Sequence, residues 1–348
     1  MKSLFLALTA SLAAGFPAGR ITTPETRYAP LVGLSNITRT NFDNVKSRSF
    51  NGPFIGVDFP DPSLIWGDGS WKAYATSSNG KNVPVATSSD AVSWTLIGND
   101  ALPTLGAWVD SGDQAVWAPD VQKNENGVYV MYYTARQSGG SHCIGVATSR
   151  SDLGPFNPAS TPLLCDAAGG GVIDASGYDD GTDRWIIWKV DGNSLGGATT
   201  CQSGTPSGSY RSTPIKIQRM ARDATTLLDG PKTILDNQGA SDDGVVEAPA
   251  LYKIPNGDFI LFYSTHCYSS DDYGIEYAFS STIDGSYGNR GSLIRTVDNK
   301  GVYGPGGMDI DPNGSSVVFH GRLAAGQGSG TRELYSAAIT INGHSVSY

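Results

Sequence analysis

Apolar and polar positions alternate with a period of two along most of this chain, in short runs broken by polar turns. WKAYATSS, VPVATSS and SWTLIG form one group of runs, VYVMYYTA, CIGVATS and PLLC a second, and RWIIWKV, IKIQRMA and KTILD a third. DFILFYSTH, GIEYAFSS and SLIRTV make a fourth, and SSVVFHG and ELYSAAITI a fifth. This alternation predicts half-buried strands rather than helices. Between the runs lie GDGS, NENG, DDGTD, PNGD and DPNG, whose Gly, Asn and Asp tolerate the positive φ that tight hairpins need. Strands outnumber any helical pattern, so the predicted class is all-β.

Each group is led by a segment in which an acidic residue stands at the head of an apolar strand. These are FPDPSLIW with Asp61, VWAPDVQK with Asp120, VIDASGY with Asp174, VVEAPALYK with Glu247 and GPGGMDI with Asp309. Recurrence every roughly 50–70 residues, each unit adding a few short strands, predicts a radial five-bladed β-propeller. The blades fall at roughly 55–110, 115–165, 172–237, 244–297 and 303–343. ATSSDAVSW, ATSRSDLGPF and AFSSTIDGSY occupy the same place in their blades, a polar turn followed by an aromatic, which strengthens the repeat over a sandwich. The innermost strand of every blade lines one central channel, so acids at the heads of those strands converge on one mouth. Residues about 20–50 show no strong periodicity and are expected to pack outside or to supply a closing strand beside the last blade.

The first residues, MKSLFLALTASLAAG, read as a secretory signal over 1–19, leaving one propeller domain over 20–348 and an extracellular protein. The apolar run is well short of the roughly 20 residues a membrane span needs, so no membrane association is expected. A formal charge of −9 with 24 basic residues and no Lys/Arg cluster argues against nucleic acid and in favour of a neutral polymer. A monomer is expected. Four cysteines in a secreted chain suggest two disulfides with three possible pairings. CIGVATS and PLLC read as neighbouring antiparallel strands, which favours Cys143 with Cys165. Cys201 then meets Cys267, tying the Gly/Ser/Thr-rich insert GGATTCQSGTPSGS to the loop THCYSSDD. A zinc site is disfavoured because no Cys-x-x-Cys spacing exists. Asn36 and Asn313 match the glycosylation pattern.

With these segments in place, the chain resembles family 43 glycoside hydrolases, the inverting branch of the five-bladed propeller glycosidases. FPDPSLIW, WAPDV, GGVIDAS with DDGTDRWIIW, and VVEAPALYK before FILFYS carry the resemblance, which runs from Asp61 to Arg322. It implies that Asp61 is the general base, Glu247 the general acid, and Asp174 the carboxylate that raises and orients that acid. The chemistry agrees: an inverting glycosidase needs two carboxyls about 6.5–9.5 Å apart, one protonating the leaving oxygen and one activating water on the opposite face. A neighbouring anion keeps such an acid protonated by like-charge repulsion. Aspartates before Pro or Gly are common turn residues, but a lone glutamate inside VVEAPALY is costly to bury without a purpose. Asp120 and Asp309 receive no acid or base role and read as structural.

The resemblance further places Trp117 at the site mouth as an aromatic face for a sugar, with Trp66, Trp71, Trp94, Trp185 and Trp188 read as core. Tyr268 and Tyr273 lie in a loop that is a weaker candidate for the pocket. Many relatives carry a histidine after the last blade's G-P-G, where this chain has Gly307 and then Met308. His320 matches the family's other recurring histidine and is the candidate partner of a water-coordinated calcium in the channel, as in some relatives; no cofactor is required. Arg322 is the candidate contact for sugar hydroxyls. The implied substrate is arabinose- or xylose-containing plant cell-wall polysaccharide, with α-L-arabinofuranosidase or arabinanase action ahead of β-xylosidase because little chain follows TINGHSVSY to build the β-sandwich many xylosidase-type relatives attach. Two alternatives stand beside this. A retaining fructan hydrolase would usually show an asparagine before the first acid, which FPDPS lacks, and a non-catalytic sugar-binding propeller would not need its acids.

Overall fold

In the computed structural model, which describes residues 50–348 apart from 203–204 and 299–300, the alternating runs fold as five antiparallel blade sheets and one small two-stranded sheet. Blade 1 consists of β1 (Ser63–Gly67), β2 (Ser70–Tyr74), β3 (Pro84–Ser88) and β4 (Thr95–Asp100). Blade 2 has β5 (Trp117–Lys123), β6 (Tyr129–Arg136) and β7 (His142–Ser149), with the short β8 (Asn157–Pro158) and β9 (Leu164–Cys165) both paired to β7. Blade 3 is β10 (Val172–Asp179), β11 (Arg184–Val190), β12 (Ile215–Met220) and β13 (Lys232–Leu235). Blade 4 is β14 (Val246–Lys253), β15 (Phe259–Thr265), β16 (Gly274–Ser280) and β17 (Gly288–Arg295). Blade 5 is β18 (Tyr303–Ile310), β19 (Ser316–Arg322) and β20 (Glu333–Ala338), followed by the hairpin β21 (Thr340–Asn342) and β22 (Ser345–Ser347). The sheets form a β-propeller around the strands β1, β5, β10, β14 and β18. The proposed signal over 1–19, the segment 20–49 and Asn36 lie outside the described residues.

The second strand of a blade is buried on both faces, and its alternate residues serve different neighbours. In β6, Met131 and Tyr133 pack against blade 1 with Tyr74 and Val85, whereas Val130 and Tyr132 pack against blade 3 with Ile186 and Trp188. In β15, Leu261 and Tyr263 face blade 3, and Ile260 and Phe262 face blade 5. Period-two geometry thus feeds two cores from one strand. Phe59, Trp71 and Ala73 meet Val318 and Leu334 at the junction of blades 5 and 1. Each junction holds one apolar cluster, and at about 25 cal/mol per Å² of apolar surface buried these clusters are the main favourable term of the fold. Trp71, Trp94 and Trp188 are core as expected, and Trp66 and Trp185 pack at its edge.

The ring closes through its N-terminal segment. Asn51 forms an antiparallel bridge with Ser336, with N–H to O bonds of 2.8 and 2.9 Å, and Phe59 N–H donates to Arg332 O at 2.8 Å. Asn51–Phe59 therefore lies beside β20, just beyond the stretch to which the closing role was ascribed. Both disulfides form as expected, Cys143–Cys165 with a Cα separation of 4.6 Å and Cys201–Cys267 with 4.8 Å.

A repeated crank marks the head of every innermost strand. The residues with positive φ are Asp61 (52°), Ala118 (39°), Asp174 (56°), Ala248 (51°) and Gly307 (55°). In the last four blades a register shift brackets that residue, as between Ile173 and Ser176 in β10 and between Glu247 and Ala250 in β14. Such bulges re-aim side chains at strand ends. The N–H of each cranked residue is taken by a side chain of the preceding blade. Asp61 N–H bonds His320 Nδ1 at 3.0 Å, Ala118 N–H bonds Thr76 Oγ1 at 2.8 Å, Asp174 N–H bonds Thr134 Oγ1 at 3.1 Å, and Gly307 N–H bonds Ser264 Oγ at 3.1 Å. In blade 4 the corresponding neighbour is Lys189, opposite Ile173, and an ammonium cannot accept. There Ala248 N–H turns to Asp174 Oδ2 at 3.0 Å.

Candidate active site

The five acids do not share one register. Asp61 and Asp174 sit on the crank, Glu247 one residue before it, and Asp120 and Asp309 two residues after it. The first three open into a cavity of about 690 Å³ at one mouth of the channel, together with Trp117, Lys189 and Arg332. Asp120 and Asp309 line the narrow channel below instead. Asp120 Oδ2 accepts Gly177 N–H at 2.9 Å, and Asp309 Oδ2 accepts Leu64 N–H at 2.7 Å. Both carboxyls are raised, Asp309 to about 6, chiefly by burial, with Asp309 also acting on Asp120. Each is thus tied to a backbone N–H of the following blade.

Asp61 is ringed by donors and cations. Its Oδ2 accepts Thr76 Oγ1–H at 2.7 Å, and Arg332 Nη1 lies 3.3 Å from Oδ1 and 3.4 Å from Oδ2. Burial works to raise this carboxyl, but the Arg332 cation and the Thr76 hydroxyl work the other way, and Asp61 is held well below the usual carboxylate range. His320 is fully buried, and burial favours its neutral form. Since Nδ1 accepts the Asp61 N–H, the ring proton belongs on Nε2, which has no partner among the described residues.

Glu247 has a different setting. Lys189 Nζ donates to its Oε2 at 2.8 Å and the Tyr273 hydroxyl to its Oε1 at 2.8 Å. Lys189 is buried, and it also pairs with Asp191 Oδ1 at 3.0 Å. Burial opposes its charge, yet Glu247, Asp191 and Asp174 keep it protonated. Asp174 is raised well above the usual range, first by burial and then by the charge of Glu247, with Lys189 working the other way. Asp174 therefore retains its proton at a pH where an isolated carboxyl has lost it.

Trp117 lines the cavity with one face covered by His142, the rings 3.9 Å apart at 28°. Tyr268 and Tyr273 line it too. Arg322 does not. It is fully buried at the end of β19, and its guanidinium donates to Tyr268 O at 2.8 Å and Ser270 O at 2.5 Å, with Asp271 Oδ1 at 3.4 Å. It pins the loop that carries Tyr268 from beneath, so the sugar contact expected of Arg322 is corrected. Of the last blade's two arginines the one that reaches the cavity is Arg332, in a loop whose sequence GQGSGTREL gives no signal. Lys189 was legible in principle: a lone cation inside RWIIWKV invites the same question of burial cost as the glutamate in VVEAPALY.

A five-bladed propeller that gathers three carboxyls at one mouth of its channel has the build of a carbohydrate-cleaving hydrolase. The family model for glycosyl hydrolases family 43 matches residues 50–343, and the chain belongs to that family. It is a glycoside hydrolase. Among its relatives, a probable arabinan endo-1,5-alpha-L-arabinosidase C of Aspergillus flavus is 29% identical over 287 residues, covering 75% of this chain and 81% of that protein. An extracellular endo-alpha-(1->5)-L-arabinanase 1 of Bacillus subtilis is 27% identical over 280 residues, covering 75% and 79%. The crystal structure of a thermostable family-43 glycoside hydrolase superimposes with a TM-score of 0.71 at 25% identity, covering 86% of this chain and 95% of that one.

Proposed function

We propose that this chain is a secreted, inverting hydrolase of arabinose-containing polysaccharide, an arabinanase or α-L-arabinofuranosidase, with Asp61 as base, Glu247 as acid and Asp174 as the acid's modulator. The observation that carries the reading is the contrast inside one cavity. Asp61 is held ionised beside the Arg332 cation, and in the same cavity Asp174, pushed toward its protonated form, is bonded to the N–H of Ala248 next to Glu247. The relatives named for arabinan favour that polymer. Secretion rests on the extracellular relative and on the two disulfides.

In this reading Asp61 takes a proton from water as the water oxygen bonds to the anomeric carbon, and Glu247 gives its proton to the departing glycosidic oxygen as that bond breaks. The proton on Glu247 belongs on Oε1. The Tyr273 hydroxyl facing Oε1 can turn and accept, whereas the ammonium at Oε2 can only donate. Lys189 thus leaves one oxygen of the acid free to act. Trp117 offers the face not covered by His142 to a sugar ring.

The His320 Nε2 that would meet a calcium in the channel is buried and carries the ring proton in this arrangement, so it offers the ion no lone pair. Among the described residues no three His, Cys, Asp or Glu side chains converge to hold a metal, while calcium takes about 6–8 oxygens. These residues do not form a calcium cage, and no step above passes through one. Dialysis against a chelator is expected to leave turnover unchanged; loss restored by calcium would overturn this.

The test is hydrolysis of linear 1,5-linked arabinan with the new anomeric centre followed by NMR. The first product is expected with inverted configuration. A retained first product would overturn the base role of Asp61, and turnover of xylo-oligosaccharides without turnover of arabinan would overturn the substrate.

A further inference from the structure

The cavity is walled unevenly. In every blade the turn between the second and third strands stands at the mouth. Four of these turns contribute to the lining: Arg136 and His142 in blade 2, Leu195 and Gln202 in blade 3, Tyr268 in blade 4 and Arg332 in blade 5. Blade 1 contributes from this turn only Thr76, at its base. Its turn folds on itself, with Ser78 and Lys81 bridged, and bonds elsewhere. Ser78 Oγ and Asn79 Nδ2 donate to Asp58 O at 2.9 and 2.8 Å, and Asn82 N–H donates to Asp100 Oδ2 at 2.9 Å.

The wall on blades 3, 4 and 5 is tied together. The Cys201–Cys267 bridge joins the blade 3 insert to the blade 4 turn, and Thr200 N–H donates to Asp243 Oδ2 at 3.1 Å beside it. The Arg332 guanidinium lies over the Tyr268 ring at 5.2 Å, and Gly326 N–H donates to Asp271 Oδ2 at 2.7 Å, joining the blade 5 turn to blade 4. Arg322 holds the same blade 4 turn by its carbonyls. One covalent and several polar ties make this wall a fixed part of the scaffold rather than a set of separate loops.

A polymer cut in its interior must enter and leave the site, which needs two open flanks. Among the described residues the lining turns of this cavity stand on blades 2 to 5 and leave one flank, blade 1, without such a turn, and its volume lies within the roughly 300–1,000 Å³ of sites that enclose a small ligand. Resting on the arabinan reading above, we infer that the enzyme accepts a free chain end against the blade 3–4–5 wall and releases short products of one size class, unlike the endo-acting relatives.

The experiment uses the wild-type protein on linear arabinan and on a long arabino-oligosaccharide carrying bulky dye groups at both ends. Short products without an early ladder of long fragments are expected, with the doubly capped substrate cleaved more than about tenfold slower than the uncapped one. An early ladder, or equal rates on capped and uncapped substrate, overturns the inference while leaving the arabinan reading intact. Cleavage of neither substrate overturns both. The double variant Cys201→Ser/Cys267→Ser, which unlatches the wall, is expected to raise the share of longer fragments; an unchanged product profile in the folded variant counts against the wall as the determinant.

Discussion

Asp61 and Asp174 occupy the same crank in blades 1 and 3, with φ of 52° and 56°, yet their surroundings drive them in opposite directions. Asp61 meets Arg332 and the Thr76 hydroxyl and is held ionised, while Asp174 meets Glu247 and is pushed toward its protonated form. Both are half-buried, so desolvation alone does not separate them. What separates them is where the nearby cation spends its charge. Arg332 points at Asp61 directly, whereas Lys189 beside Asp174 is engaged by Glu247 and Asp191. One backbone device thus yields a base in one blade and a proton-holding partner in another.

The comparison breaks most sharply if the base is removed. Asp61→Asn, which suits the same crank, is expected to lower turnover by about 10²–10⁴ with an unchanged circular dichroism spectrum. Near wild-type turnover would transfer the role away from blade 1. Glu247→Gln is expected to cost about 10²–10⁴ on natural linkages but little on activated aryl glycosides, whose leaving groups need no proton. Equal losses on both substrate types would remove the acid role.

Two further variants sharpen the comparison by sign. Lys189→Met takes a cation from the acid, favours its protonated form, and is expected to move the basic limb of the pH–rate profile up by about one unit. Asp174→Asn takes an anion from it and is expected to move that limb down by a similar amount. Shifts of the same sign in the two variants would show that both act through packing. The smallest effect is expected from Arg332→Ala. Without its cation Asp61 binds a proton more readily, so the acid limb moves up, with turnover at the optimum altered less than about tenfold. An unmoved acid limb would show that the Thr76 hydroxyl suffices.

Blade number, strand grouping and both disulfides were legible because alternation and turn chemistry repeat five times along the chain. The acids were legible as a set, but their division was not. A bulge adds no mark of its own to a pattern of apolar and polar letters, so Asp120 and Glu247 look equivalent in sequence although they stand three positions apart relative to the crank. The two arginines of the last blade show the other limit. Arg322 follows a strand and looks placed for the channel, but its guanidinium is used up by loop carbonyls. Arg332 arrives through a glycine-rich turn whose path is set by tertiary contacts, among them the Phe59 N–H to Arg332 O bond.

The ring of cranks also sets the terms on which this scaffold can be redesigned. It offers five equivalent attachment points around one axis, of which two carry aspartate, two alanine and one glycine. Gly307 is closed to change: a Cβ there would come within 2.8 Å of both Asp61 Oδ1 and His320 Nδ1, and its neighbour Gly306 leaves room for the Tyr273 ring. Ala118 and Ala248 already accept a conformation that costs a non-glycine residue about 1–2 kcal/mol. Aspartate and asparagine tolerate that conformation better than other side chains. Relocating a carboxyl around the axis is thus a matter of two positions, and the backbone geometry needed to hold it is in place at both.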